Sequence, residues 1–293
     1  MKPKGPFNLL YQNQFFNGWP TLASDQNTIV MTFPVEGWSG SAAVILAQDE
    51  NGKIKLHVYG TGDKDRATVQ ALAAMSLDED GVAWKEVGGK DEVVRSLQEK
   101  YKFMRPTLFH SPYEAAAGFM IGHRISIVQA RKIRAALADE FGEKIDVNGE
   151  TFSAFPTPQK LLEIDNFQSL NDTKIVRLHA VAQAALDGLL DRDYLRSLDD
   201  VTALAKLEKL PGVGPFFSQG ILYRGAGSKD GFSQDDMSFH GIKAAYGLND
   251  DVTKEEIMAI TEKWRPYRMW VSVLLHVWLR ETNNFPKRTF SKR

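Results

Sequence analysis

Cysteine is absent from the 293 residues. Without a thiol, disulfides, thiolate nucleophiles, thiolate-held iron–sulfur clusters and thiolate zinc sites are all excluded, whatever reaction the chain supports. Long apolar runs are missing too: no stretch approaches the roughly 18 residues that a membrane span needs. The start, Met1-Lys2-Pro3-Lys4-Gly5-Pro6-Phe7, has no apolar segment of the secretory kind. A cytoplasmic protein is expected, or a nuclear one if the source is eukaryotic. Excess charge of either sign is also lacking, since 36 basic and 37 acidic residues leave a net charge of −1. Any nucleic-acid surface must therefore be a local patch. What is present is ample core material, 43% hydrophobic and 11% aromatic, enough for two domains or one large one.

The pattern predicts an α+β chain. Up to about Lys90 it is strand-like, with Thr28 to Phe33, Ser41 to Leu46 and Lys53 to Tyr59 separated by turn formers such as Asp49-Glu50-Asn51-Gly52. A helix over 63–75 completes a small antiparallel sheet domain at 1–90. From Asp91 the spacing predicts helices over 91–102, 112–121, 125–141, 158–164, 174–189, 199–208, 215–224, 238–246, 253–264 and 267–280, with no strand signal of similar strength between them. An all-helical body at 91–282 and a basic tail at 283–293 complete the organisation, without repeats.

Two glycines one residue apart sit between two of these helices, in Leu207-Glu208-Lys209-Leu210-Pro211-Gly212-Val213-Gly214-Pro215-Phe216-Phe217-Ser218. Taken alone, they fit a plain αα-turn with a glycine cap. They also fit an anion site, because glycines let a phosphate reach main-chain N–H groups and the next helix aims its positive end there. Pro215 suits the first turn, where its missing donor costs nothing. Such a hairpin grips a nucleic-acid backbone and reads no sequence. About twenty residues on, Gln234-Asp235-Asp236-Met237-Ser238-Phe239-His240 starts another helix, with one of the two aspartates at its N-cap. A carboxylate held at a helix N-terminus suits a site where positive charge develops on a sugar.

Together, Leu210-Pro211-Gly212-Val213-Gly214 to Gly225 and Gln234-Asp235-Asp236 to Gly247 resemble the helix-hairpin-helix, Gly/Pro and aspartate signature of the base-excision DNA glycosylases. Phe155-Pro156-Thr157-Pro158-Gln159, Gly122-His123-Arg124-Ile125-Ser126 and Trp264-Arg265-Pro266-Tyr267-Arg268 through Trp278 narrow the resemblance to the bacterial 3-methyladenine DNA glycosylase II type, over roughly 90–282. The N-terminal sheet matches that family in architecture only.

The resemblance implies a monofunctional enzyme that flips a damaged, alkylated base out of double-stranded DNA and hydrolyses its glycosidic bond, leaving an abasic site. The catalytic aspartate falls on Asp236, with Asp235 structural. The hairpin residues Leu210, Gly212, Val213, Gly214 and Phe216 would contact the DNA backbone, and the main-chain carbonyls of Leu210, Gly212 and Val213 would hold a potassium or sodium ion. No other cofactor is implied. Arg124 takes the place of the intercalating wedge, normally apolar, and can fill a gap with its planar guanidinium; the neighbouring Arg131, Lys132 and Arg134 read either as a phosphate patch or as a solvated face. Phe216, Trp278 and Met237 fall beside the flipped base, where aromatic faces favour a cationic base, while Trp264 and Trp270 read as core. Gly220 and Met237 replace aromatic residues of the family, which implies a roomier pocket, and Phe15 or Phe16 would supply an N-terminal aromatic. Where strand-nicking relatives carry a lysine, this chain has Phe216, so no Schiff base is expected. The alternative from another class is a non-catalytic lesion-binding or DNA-structure-binding protein. A monomer is expected.

Overall fold

The computed structural model describes residues 1–15, 21–25 and 28–283, without side chains at 13–15 and 21–25. Along the chain run α1 (Leu9–Phe15), β1 (Thr21–Asp25), β2 (Thr28–Pro34), β3 (Ser41–Gln48), β4 (Ile54–Gly60), α2 (Lys64–Ala74), α3 (Gly81–Lys90), α4 (Glu92–Lys100), α5 (Pro112–Gly122) and α6 (Ile127–Phe141). Then follow β5 (Lys144–Val147), β6 (Glu150–Ser153), α7 (Pro158–Leu162), α8 (Asp172–Leu186), α9 (Arg192–Ser197), α10 (Asp200–Leu207) and α11 (Pro215–Gln219), which widens into π-helical turns over Gly220–Ala226. The last elements are α12 (Asp236–Tyr246), α13 (Lys254–Glu262) and α14 (Arg268–Glu281). This is the α+β class: a small antiparallel sheet and a helical body.

Contacts divide the chain into two units, each discontinuous in sequence, rather than at a single cut near residue 90. One comprises Met1–Pro3, Asn8–Glu79 and Thr107–Ser228; the other comprises Lys4–Phe7, Asp80–Pro106 and the chain from Lys229.

In the first unit the four strands pair in sequence order, all antiparallel. Val30, Ala43, Ile45 and Tyr59 share one sheet face because side chains alternate along a strand. That face is covered by Ile145, Val147 and Phe152. These come from the β5–β6 hairpin, which the sequence reading missed. Its signal was present: Asn148 and Gly149 both adopt left-handed φ, 56° and 88°, the pair that a two-residue hairpin turn demands. The reading also missed α3, whose Gly88 and Gly89 weaken the helical pattern although Asp80 caps it through the amides of Val82 and Ala83. Short α9 and strand β1 were missed as well.

The sheet is tied to the helices of its unit at the β2–β3 loop. Trp38 donates its indole N–H to the Ala185 carbonyl at 3.1 Å and packs edge-on against Tyr113. Beside it, Glu36 lies 3.7 Å from the Arg192 guanidinium, and both side chains are largely buried. Burial pushes the Glu36 carboxyl up to about 7 against the opposing pull of Arg192.

Raised above its unfolded range near ~4.3, this group favours the fold most when protonated, and that advantage is lost as pH rises through its folded value of about 7. Glu36→Gln is therefore expected to gain stability relative to wild type between pH 5 and pH 8, by up to roughly 3 kcal/mol. Urea melts at the two pH values check this, and a difference that does not change with pH would refute it.

Candidate nucleic-acid interface and catalytic residues

The sequence-predicted residues fall into two sets. The first unit carries Arg124, the hairpin and Phe216; the second carries Asp236, Met237 and Trp278.

In the first unit, α10 and α11 flank the hairpin. Leu210 accepts the Val213 N–H at 3.0 Å, closing a turn in which Gly212 has φ +84°. Val213 is buried and plugs the loop from below. Gly214 caps α11 without a side-chain bond, and a Cβ added there would meet nothing within 4 Å. The main chain of Gly214 to Phe216 is thus open to a bulky anion at the start of α11. Among the described residues, the carbonyls of Gly212 and Val213 accept no backbone N–H, and Leu210 has a second lone pair, so this donor set fits a monovalent cation. Phe216, the next helix position, is 62% exposed.

Arg124 stands at the tip of the turn joining α5 and α6. His123 (φ −58°, ψ 119°) and Arg124 (φ +60°) form a type II turn closed by Ile125 N–H to Gly122 O at 3.2 Å. Glycine normally occupies that third position, so a large cationic side chain is held there against backbone preference. Arg124 is exposed, and Ile127 and Val128, just beyond it, are 71% and 61% exposed. Arg134 does not join a phosphate patch. It turns inward to Glu114, whose side chain is fully buried, and lies over the Phe155 ring. Burial alone would raise the Glu114 carboxyl, but Arg134 and His110 outweigh it and hold it below the usual range. Arg131 and Lys132 remain on the surface.

The roomier surface expected at Gly220 is not found. A Cβ at Gly220 would lie 2.3 Å from Cζ of Phe119, so the Phe119 ring fills the space that a side chain at 220 would take. Phe119 stacks on Phe217 (5.0 Å between centroids) and meets Phe216 edge-on (6.4 Å, 77°). Sequence reading could not assign Phe119, because its role depends on an absent side chain a hundred residues away.

In the second unit, the two aspartates divide their work. Asp235 is the N-cap of α12: one carboxylate oxygen accepts the Ser238 N–H at 2.8 Å and the other accepts the Ser233 hydroxyl at 2.7 Å. Asp236, the first helical residue, is exposed, and its carboxylate has no hydrogen-bond partner among the described residues. The segment before it is pinned by the first turn of α14: Arg268 Nε donates to the Asp230 carbonyl at 2.8 Å, and Met269 N–H donates to Lys229 O at 3.0 Å. Gly241 lets α12 lie close on α14, its would-be Cβ 3.3 Å from Leu279 and 3.6 Å from Leu275. Trp264 and Trp270 are fully buried, whereas Trp278 and Met237 are half-buried. Phe16 lies outside the described residues, and the side chain of Phe15 is likewise not described.

Gly220→Ala is expected to cost about 1–3 kcal/mol through overpacking against Phe119, exceeding the ~1 kcal/mol that helix propensity returns. Denaturant melts of this variant and of Gly220→Ala in a Phe119→Leu background check the cause. Loss in the single variant with recovery in the double supports it, and an unchanged midpoint in the single variant overturns it.

No family model matches the chain. Among curated proteins it is similar to DNA-3-methyladenine glycosylase 2 of Escherichia coli, 30% identical over 174 residues, which cover 58% of this chain and 57% of that protein. Among solved structures it is similar to 3-methyladenine DNA-glycosylase from Archaeoglobus fulgidus, with TM-score 0.76 and 20% identity over 96% of this chain and 97% of that one. It is also similar to the Clostridium acetobutylicum 8-oxoguanine glycosylase/lyase, solved in complex with dsDNA containing cytosine opposite 8-oxoG, with TM-score 0.71 and 18% identity over 95% and 93% of the two chains. The hairpin, the π-widened helix and the aspartate pair thus stand on a fold shared along nearly the whole chain with these two solved DNA glycosylases, and the sequence similarity to DNA-3-methyladenine glycosylase 2 spans little more than half of either protein.

Proposed function

We propose that this chain excises alkylated bases from double-stranded DNA as a monofunctional glycosylase, releasing the base and leaving an abasic site. The observation that carries the reading is the division of the aspartate pair: the cap is supplied by Asp235, so the Asp236 carboxylate is uncommitted at the positive end of α12. Loss of a base leaves a sugar with oxocarbenium character. A fixed carboxylate stabilises that charge, or aligns the water that attacks C1′ as the bond to the base breaks. An alkylated purine already bears positive charge and departs neutral, so no general acid is required.

The remaining groups serve access. The base must leave the stack at a cost of a few kcal/mol, lowest where the pair is damaged. Arg124, aimed outward from its turn, takes the vacated place, and its guanidinium stacks on neighbouring bases. In the second unit, Met237 and Trp278 supply apolar and aromatic surface for the flipped base, with the aromatic face favouring the cationic form. The backbone N–H groups of Gly212, Gly214 and Phe216 bind phosphate, since that of Val213 is taken by Leu210 O and Pro215 has none. A potassium or sodium ion on the carbonyls of Leu210, Gly212 and Val213 would add positive charge to that phosphate contact. Because Phe216 holds the position of the Schiff-base lysine in strand-nicking relatives, water is the nucleophile.

Asp236→Asn should retain binding to lesion duplex and lose single-turnover excision by roughly 10²–10³-fold. The assay uses oligonucleotides carrying 7-methylguanine, 3-methyladenine, 1,N6-ethenoadenine or hypoxanthine, scored for strand breaks with and without alkali. Near-normal turnover in the variant would remove Asp236 from the chemistry. Breaks without alkali, or borohydride trapping of a covalent complex, would replace the monofunctional reading with a lyase. Affinity for duplex DNA should also fall steeply between about 50 and 200 mM salt and vary little with flanking sequence. Fluorescence anisotropy titrations measure this, and a salt-insensitive complex would contradict phosphate gripping by the hairpin.

A further inference from the structure

The wedge turn and the hairpin are both fastened to α8. Lys174 donates from Nζ to the Ile121 carbonyl at 2.7 Å, in the last turn of α5. One helical turn on, Arg177 places Nη1 3.3 Å from Nδ1 of His123, the residue before Arg124. A guanidinium only donates, so Nδ1 is the acceptor and the imidazole proton sits on Nε2. Burial, together with Arg124, Arg177 and Lys174, lowers the His123 pKa, in keeping with that neutral form.

The other face of Arg177 meets the hairpin. A Cβ on Gly212 would lie 2.6 Å from Nε and 2.7 Å from Cδ of Arg177, so the guanidinium packs against the bare α-carbon of a glycine at φ +84°. A further link closes the triangle: the His123 ring stands edge-on to Phe217 of α11, 5.8 Å between centroids. Arg177 therefore touches the wedge turn on one side and the phosphate loop on the other. The left-handed backbone at Arg124 persists only if its surroundings hold it.

We propose that Arg177 is a positioning residue that locks the Arg124 turn to the Gly212 hairpin, so that gripping the phosphate and filling the vacated base stack are performed by one rigid element. This deepens the glycosylase reading above and rests on it. With Arg177 removed, the hairpin still has its amides and still binds DNA, but the turn relaxes and Arg124 no longer arrives where the base has left. The loss then falls on base eversion and excision, leaving DNA affinity largely intact.

The test compares Arg177→Gln, Arg177→Lys and Arg124→Ala, singly and combined, in single-turnover excision from a 7-methylguanine duplex and in binding to undamaged duplex. Arg177→Gln is expected to slow excision about tenfold while affinity for undamaged duplex changes by less than about threefold, and to add little further loss in the Arg124→Ala background. Arg177→Lys keeps the charge but loses the planar fork, and should behave like Gln. Additive losses, or rescue by lysine, would overturn the proposal and leave Arg177 a simple charge. Amide exchange at 122–125 and 212–214 in the free protein separates this inference from the functional reading. Faster exchange in Arg177→Gln supports the lock even if no base proves to be a substrate, and unchanged exchange refutes it even if excision is robust.

Discussion

The first unit depends on how closely α5 can approach the π-helical turns that follow the hairpin. Two glycines make this possible. A Cβ at Gly225 would lie 2.8 Å from Cβ of Ala115 and 3.0 Å from the α-carbon of Pro112, and one at Gly220 would strike the Phe119 ring. Where those side chains are missing, the Phe119 ring, the Ala115 methyl group and the Pro112 backbone reach the bare main chain, and each close-packed atom pair adds a little dispersion. The Phe109 N–H reaches Arg224 O at 2.8 Å, and the Arg224 guanidinium returns a bond to Thr107 O at 2.7 Å, so the entry to α5 is stitched to the same segment. Both proposed DNA-facing features grow from this contact: the Arg124 turn ends α5, and the hairpin leads through α11 into the π-helical turns.

A wide helix of this kind is seldom stable in isolation. Here it is stabilised by neighbours that would not fit a regular helix carrying ordinary side chains. Strain at Arg124 and openness at Gly214 are likewise properties of the assembled unit. They do not belong to the local sequence: the packed scaffold holds irregular backbone at its surface.

What could be read from sequence follows the same line. The helical pattern and its punctuation located α5, α6, α8, α10 and α12 to α14 to within a few residues; α8 and α12 bury one stripe, whereas α5 and α14 are buried on most sides. Gly212, Gly214 and Pro215 announced the hairpin because backbone conformation there is dictated by residue type. Arg134 was legible only as a charge on a helix, since its partner Glu114 lies on another helix and its inward turn is a tertiary event. Gly220 was misread as space for the same reason: a missing side chain tells what is absent, and only packing tells that Phe119 fills it. The β5–β6 hairpin is a different case, since Asn148-Gly149 carried a local signal that the surrounding helical patterns obscured.

The arrangement at Asp235 and Asp236 has a consequence for inheritance. Because helix α12 is capped by one aspartate and the proposed chemistry falls to the next, a change at 236 need not unfold anything. Under the proposed function, an allele altered there would yield a stable product that still binds lesions and does not release the base, whereas one altered at 235 would loosen the helix and reduce the amount of protein. Of two adjacent and chemically identical positions, one would then give interference that persists beside a normal copy, and the other a simple shortage.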